Sequence, residues 1–175
     1  MSNPNPMRAL SVEKINLNIG TGGPGDKMEK AKKLLKIITG TTAVETKTKL
    51  RIPTWGVRPG LSLGVRTTLR GKKAVETLKR LLVGAGNKLR ASSFDNAGNV
   101  AFGIKECLEI PGLKYDPEVG IMGLEVAVTL QRPGFRIRRR SLRPHRIPLR
   151  HQIPRDEAIT FMKDHFKVEV TEDKK

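Results

Sequence analysis

The sequence predicts an α+β fold, an antiparallel sheet with helices packed on one face and the other face left bare. Three observations predict it. Residues 12–20, 43–52, 61–70 and 122–131 alternate apolar with polar side chains, the two-residue period of a half-buried strand. Residues 26–39 and 74–85 keep the spacing of an amphipathic helix instead. The second and third strand segments are joined by a loop holding Pro53, Gly56, Pro59 and Gly60, the pattern of a hairpin. A chain of 175 residues fits a single domain, 1–175, long enough to bury a real core.

The first strand sends Ile15, Leu17 and Ile19 one way and Lys14, Asn16 and Asn18 the other. A glycine-rich turn over 20–25 leads to Asp26, a fair helix N-cap. Met28, Ala31, Leu34, Leu35 and Ile38 form the stripe of the first helix, with Lys27, Lys30, Lys33 and Lys36 mostly off it, and Thr39-Gly40 ends it. On the next strand Val44, Thr46, Thr48, Leu50 and Ile52 are expected on one face, and Glu45, Lys47, Lys49 and Arg51 on the other. An extended tip over 51–61 returns the chain as a strand. It has Leu61, Leu63, Val65 and Leu69 on one side and Ser62, Gly64, Arg66, Thr68 and Arg70 on the other. Gly71 breaks it, and Ala74, Val75, Leu78, Leu81, Leu82 and Ala85 mark the second helix. Residues 87–121 read as loop-rich, with a short strand near Val100–Ile104 and a turn at Pro111-Gly112. Leu124, Val126, Val128 and Leu130 point inward from the last long strand. Residues 132–150 contain Pro133, Gly134, Pro144 and Pro148, so an irregular arm ordered by its partner is expected. Pro154 opens a third helix with Asp156 and Glu157 in its first turn. Val168 and Val170 suggest a closing strand, and residues 171–175 are expected to fray.

The net charge of +17 is concentrated in two windows. Residues 46–75 hold eight Lys and Arg, residues 126–155 hold nine Arg, and neither window holds an acid. Such segregation costs self-repulsion unless a polyanion is bound, and nucleic acid is the commonest polyanion in a cell. The bare face of the sheet collects Lys14, Asn16, Asn18, Lys47, Lys49, Arg66, Thr68 and Arg70 and is therefore expected to be basic and RNA-facing. It carries no aromatic at its alternating positions. Folded RNA held by phosphates, ribose hydroxyls and shape fits such a face better than single strands stacked on rings. The arm carries Arg132, Arg136, Arg138, Arg139, Arg140, Arg143, Arg146 and Arg150 and no Lys, which favours bidentate phosphate contacts. Charge alone equally allows a DNA-binding architectural protein.

Gly20-Thr21-Gly22-Gly23-Pro24-Gly25 fits the dinucleotide fingerprint, with Glu45 about where a ribose-binding acid belongs. Pro24 and Asp26 at the helix start, and a basic hairpin in place of a second βαβ unit, speak against a dinucleotide-dependent enzyme. The same glycines also read as a plain turn, or as amides touching an RNA phosphate. Trp55 is either an anchor folding the tip back on its hairpin or a ligand contact. His145 and His151 fit RNA or solvent contact better than catalysis. There is no nucleophile elbow, Walker loop or apolar carboxylate pair, so no enzyme is expected. One Cys and three His at no zinc-ligand spacing leave no metal site or internal disulfide, and no cofactor is expected. Cys107 reads as a semi-buried, unreactive strand residue. No run approaches the ~20 apolar residues of a membrane span. Met1-Ser2-Asn3-Pro4 has no signal-peptide core, so the cytoplasm is expected.

Several words of the sequence carry a resemblance: "NPMR" at 5–8, "INLNIGTGGPGD", "RIPTWGVRPGLSLGVRTTLRGKKA", "FGIKE", "PGLKYDPEVGIMGLEVAVTLQRPGF" and "RDEAITFMKDHFKVEV". In this order, over nearly the whole chain, they resemble the 5S rRNA-binding fifth protein of the large ribosomal subunit, in its archaeal and eukaryotic form. The resemblance implies attachment of 5S rRNA to the large subunit in the central protuberance, beside other proteins of that region. It implies contact with P-site tRNA through the hairpin tip and a bridge to a protein of the small-subunit head. By motif, Asn18 and Thr68 should meet 5S rRNA, and Thr41 stands where the family often shows a Gln. Arg51, Trp55, Gly56 and Arg58 would approach tRNA. The run "RIRRRSLRPHRIPLRH", with Arg136, Arg138, Arg139 and Arg140, is richer in Arg than the family form, and 23S rRNA is its expected target.

Overall fold

The alternation of apolar and polar residues sets the architecture. In the computed structural model, which describes residues 5–113, 116–117 and 120–171, the main sheet has five strands. These are β1 (Ser11–Gly20), β2 (Val44–Lys47), β3 (Ser62–Arg70), β5 (Asn99–Ile104) and β6 (Leu124–Gln131). Their order is β2-β3-β1-β6-β5 and every pairing is antiparallel. Two further strands, β4 (Lys88–Arg90) and β7 (Glu169–Thr171), pair in parallel apart from it.

Ile15, Leu17 and Ile19 of β1 are opposite Leu69, Thr67 and Val65 of β3, and all six are buried on the helix side. Leu124, Val126, Val128 and Leu130 of β6 join them, as their alternation requires. Two helices supply the cover: α1 (Asp26–Thr39), burying Met28, Ala31, Leu34, Leu35 and Ile38, and α2 (Gly71–Gly84), burying Ala74, Thr77, Leu78, Leu81 and Leu82. A third, α3 (Arg155–Phe166), adds Ala158, Phe161 and Met162 to the same core cluster.

The helix ends have local causes. Gly25, not Asp26, is the N-cap of α1, and Asp26 falls with Glu29 in the first turn, where the dipole favours carboxylates. Gly40 ends α1 in the left-handed conformation (φ 64°), and its N–H donates to Lys36 O at 2.8 Å. Arg80 of α2 donates to Ile38 O at 2.7 Å, so the second helix closes the end of the first.

The structure corrects several expectations. β2 ends at Lys47 and not at residue 52, because the hairpin pairing shifts register between Thr46 and Lys47. Leu50, expected inward, is 71% exposed. β4 leaves no mark in the sequence; three residues are too few for a period to register, and its partner lies at the far end of the chain. Residues 1–4 and 172–175 lie outside the described residues, and with them the polar N-terminus and most of the fraying tail. Cys107 is in a 3₁₀ turn, Cys107–Glu109, and not in a strand. Its burial pushes the thiol up from 9.0 to about 11. That leaves about a hundredfold less thiolate at pH 8 than an ordinary cysteine has. We therefore expect a thiol-disulfide reagent to modify Cys107 only as the protein unfolds; rapid modification under native conditions would show that this turn opens.

Candidate nucleic-acid interface

The uncovered face follows from the register. Lys14, Asn16 and Asn18 of β1 are opposite Arg70, Thr68 and Arg66 of β3, one residue out of step with the buried set. Across β1 the same face continues into Thr129, Ala127 and Glu125 of β6, and from there into Asn99, Ala101 and Gly103 of β5. Half of the face is thus small or polar and uncharged except for Glu125, with no ring on it, and the cations Lys14, Arg66 and Arg70 stand along the other half. Thr68 Oγ1 donates to Asn16 Oδ1 at 2.8 Å, and Asn18 Nδ2 donates to Glu125 Oε2 at 2.9 Å. These bonds fix two amides, and the first occupies the oxygen of Asn16 and not its N–H donors. A ring-free strand face with hydrogen-bonded amides and flanking cations suits a ribose-phosphate backbone.

Lys47 and Lys49 do not join this face as expected. Val44 is opposite Arg66 and Glu45 is opposite Val65, so Val44 shares the open face and Glu45 lies on the helix side. Glu45 there accepts from Lys32 of α1 and from Ser62 at 2.7 Å. The Lys32 hydrogen bond first, then that of Ser62 and the charges of Lys32 and Lys47, hold its carboxyl below the usual range. After the register shift Lys47 is opposite Ser62, whose hydroxyl bonds Glu45, so Lys47 falls on the Glu45 side, and Lys49 lies beyond the end of β2. Six of the eight expected residues are therefore aligned: Lys14, Asn16, Asn18, Arg66, Thr68 and Arg70.

The glycine turn is closed rather than cradle-like. Thr21 N–H and Gly22 N–H both donate to Leu63 O, at 2.9 and 3.1 Å, and Thr21 Oγ1 also donates to Leu63 O at 3.1 Å. Two amides that a phosphate would need are spent on the hairpin. With Glu45 paired to Lys32 and the main sheet antiparallel throughout, the dinucleotide reading loses its donors, its acid and its topology. Thr41, in the loop after α1, has its hydroxyl 2.9 Å from that of Thr39 and lies on no strand.

The tip is a projecting hairpin end. Ile52 and Val57 exchange both backbone hydrogen bonds, at 3.0 and 3.1 Å, around a single 3₁₀ turn, Pro53–Trp55, closed by Gly56 at φ 64°. Val57, at 6% exposure, is the buried side chain of the tip. Trp55 is 78% exposed, so the anchor reading of Trp55 is overturned. Arg51, Gly56 and Arg58 are exposed beside it.

The arm is irregular, as expected, with short 3₁₀ turns at Phe135–Arg138 and Leu149–His151. Arg136, Arg138 and Arg140 are exposed on it. Arg139, also exposed, is ion-paired with Glu13 of β1, and the buried Arg132 with Glu157 of α3. Sequence reasoning missed these two carboxylates and Glu125. Glu13 had one signal: alternation puts it on the same side of β1 as Ile15, Leu17 and Ile19, where an acid needs a partner.

Among the described residues no group of three or more His, Cys, Asp or Glu is placed to hold a metal ion. Among them no helix is long and apolar enough to cross a membrane.

Comparison with known proteins adds a second line. Residues 5–58 match the family model for ribosomal protein L5, and residues 62–164 match the model for the C-terminus of the same ribosomal family. The boundary between the two falls on the hairpin just before β3. The chain is 49% identical over 169 residues to the large ribosomal subunit protein uL5 of Sulfurisphaera tokodaii, covering 96% of each chain. It is 46% identical over 166 residues to the protein of the same name from Nanoarchaeum equitans, covering 94% of this chain and 98% of that one. To the one from Methanosphaera stadtmanae it is 40% identical over 166 residues, covering 95% and 99%.

Proposed function

The chain belongs to the ribosomal protein L5 family, in its archaeal type, and from that premise we propose how it serves the large ribosomal subunit. It is a structural ribosomal protein that binds 5S rRNA with the open face of its sheet and attaches it to the subunit in the central protuberance. One observation carries this: the register that aligns Lys14, Asn16, Asn18, Arg66, Thr68 and Arg70 on a helix-free, ring-free face. Phosphates go to the three cations, and ribose hydroxyls to the amides and Thr68. Lys47 and Lys49 contribute from the hairpin flank, and Thr41 from the loop after α1, rather than from this face. Arg136, Arg138 and Arg140 of the arm hold 23S rRNA. The tip, with Arg51, Trp55, Gly56 and Arg58, reaches P-site tRNA, and the chain bridges to a protein of the small-subunit head.

Competition at equal salt between folded 5S rRNA and duplex DNA of the same length tests the first step. We expect a clear preference for the RNA; equal affinity would support a DNA-binding architectural protein in its place. The tip has its own test. Because Trp55 is exposed, Trp55→Ala should leave the melting temperature unchanged and the 5S rRNA affinity within about twofold of the parent while slowing tRNA-dependent steps. A large loss of 5S rRNA affinity would move the 5S site to the tip.

A further inference from the structure

We propose that Glu13 and Glu157 are positioning residues that hold the Arg-rich arm in its binding shape before any RNA arrives. The inference rests on the reading that the arm binds rRNA, and it concerns two acids that such a reading would discard.

Arg132 begins the arm and is 4% exposed. Its guanidinium pairs with Glu157 in the first turn of α3 and also donates to Gln152 O at 3.1 Å and His151 O at 3.4 Å. One buried cation therefore ties the start of the arm to its end. Seven residues on, Arg139 pairs with Glu13, a buried carboxylate on β1. Between these two pins the arm closes on itself: His151 bonds Pro133 O at 2.9 Å, His145 N–H donates to Ile137 O at 3.3 Å, and Gln152 donates to Ile147 O at 3.2 Å. Phe135 and Ile153 enter the core beside it. A proline-containing loop with this many cations would expand by self-repulsion if left free. The two carboxylates oppose that expansion and leave Arg136, Arg138 and Arg140 outward on a fixed frame. Ordering cost is then met at folding rather than at binding, which raises affinity without any new contact.

The consequence has an unusual sign. On a protein of net charge +17, removing an acid should strengthen RNA binding if only charge matters. If the two acids position the arm, Glu13→Gln and Glu157→Gln should each weaken binding of deproteinised large-subunit rRNA by about fivefold or more. Glu169→Gln removes the same charge from β7, where Glu169 has only a loose 3.9 Å pair with Lys88, and should leave affinity unchanged or slightly higher. Amide hydrogen exchange of residues 133–152 in the free protein gives the second readout. We expect protection in the parent and faster exchange in the two variants while the strands of the main sheet stay protected. Tighter binding by Glu13→Gln and Glu157→Gln, or an arm unprotected in the parent, would overturn the inference. Should Arg136, Arg138 and Arg140 replaced together by Gln leave rRNA affinity unchanged, the arm's RNA-binding role fails instead; protected amides would then still support the positioning.

Discussion

With Arg66 and Arg70 both replaced by Gln, affinity for 5S rRNA falls by about thirtyfold near physiological salt, and the log–log salt slope loses about one to two units. The two arginines are four positions apart on β3, so alternation keeps them on one face, opposite Asn18 and Lys14. Both are exposed, which makes the variant a test of contact and not of folding. Asn16→Ala on the same face removes an oriented amide but no charge, and it should lower affinity without changing the slope. The pair of results separates phosphate contacts from hydroxyl recognition. A slope unaltered by the double substitution would place the phosphates elsewhere.

Gly64→Val is expected to lower stability by about 3 kcal/mol or more. A Cβ at Gly64 would sit 2.7 Å from Ile19 O, a backbone atom of the central strand β1, and 3.2 Å from Thr46 Oγ1 of β2. Neither strand can withdraw without breaking the ladder that aligns Arg66 with Asn18. Denaturant unfolding should show a lower midpoint with an unchanged m-value. Gly103 is the matched control, on the open face of β5 with nothing within 4 Å of its would-be Cβ. Gly103→Val should change stability by less than about 0.5 kcal/mol. Similar losses from both substitutions would mean that glycine in these strands matters for flexibility and not for the close approach of β1 to β3.

The contrast between β1 and β2 shows what the sequence could reveal. β1 is central, ten residues long and covered along its inner side, so its period alone separates Ile15, Leu17 and Ile19 from Lys14, Asn16 and Asn18. β2 is an edge strand of four residues. Its inner side meets only the flank of α1, where Lys32 makes Glu45 the better inward residue than Val44. Hydrophobicity therefore named the wrong face, and the bulge that settles Lys47 has no local sequence mark. The arm illustrates a different limit. Counting charges in windows located the excess, but windows measure distance along the chain. Glu13 lies 126 residues from Arg139 and Glu157 lies 25 from Arg132, so both neutralising acids fell outside the acid-free stretch that drew attention to the arginines. The exposed tip was legible as a Pro/Gly loop; that Val57 and not Trp55 would be its buried side chain depends on the Ile52–Val57 bridge, a matter of geometry rather than of residue type.

The claim that everything else depends on is that 5S rRNA lies on the strand side of the molecule and not on the helix side. A hydroxyl-radical source tethered to one side at a time measures this. Because Cys107 is buried, Ala101→Cys on the open side of β5 and Lys36→Cys on the outer side of α1 each provide a single reactive thiol for an iron chelate. The predicted result is cleavage of bound 5S rRNA from the tether at residue 101 and little or none from residue 36. Cuts of equal or greater strength from residue 36 would contradict the assignment.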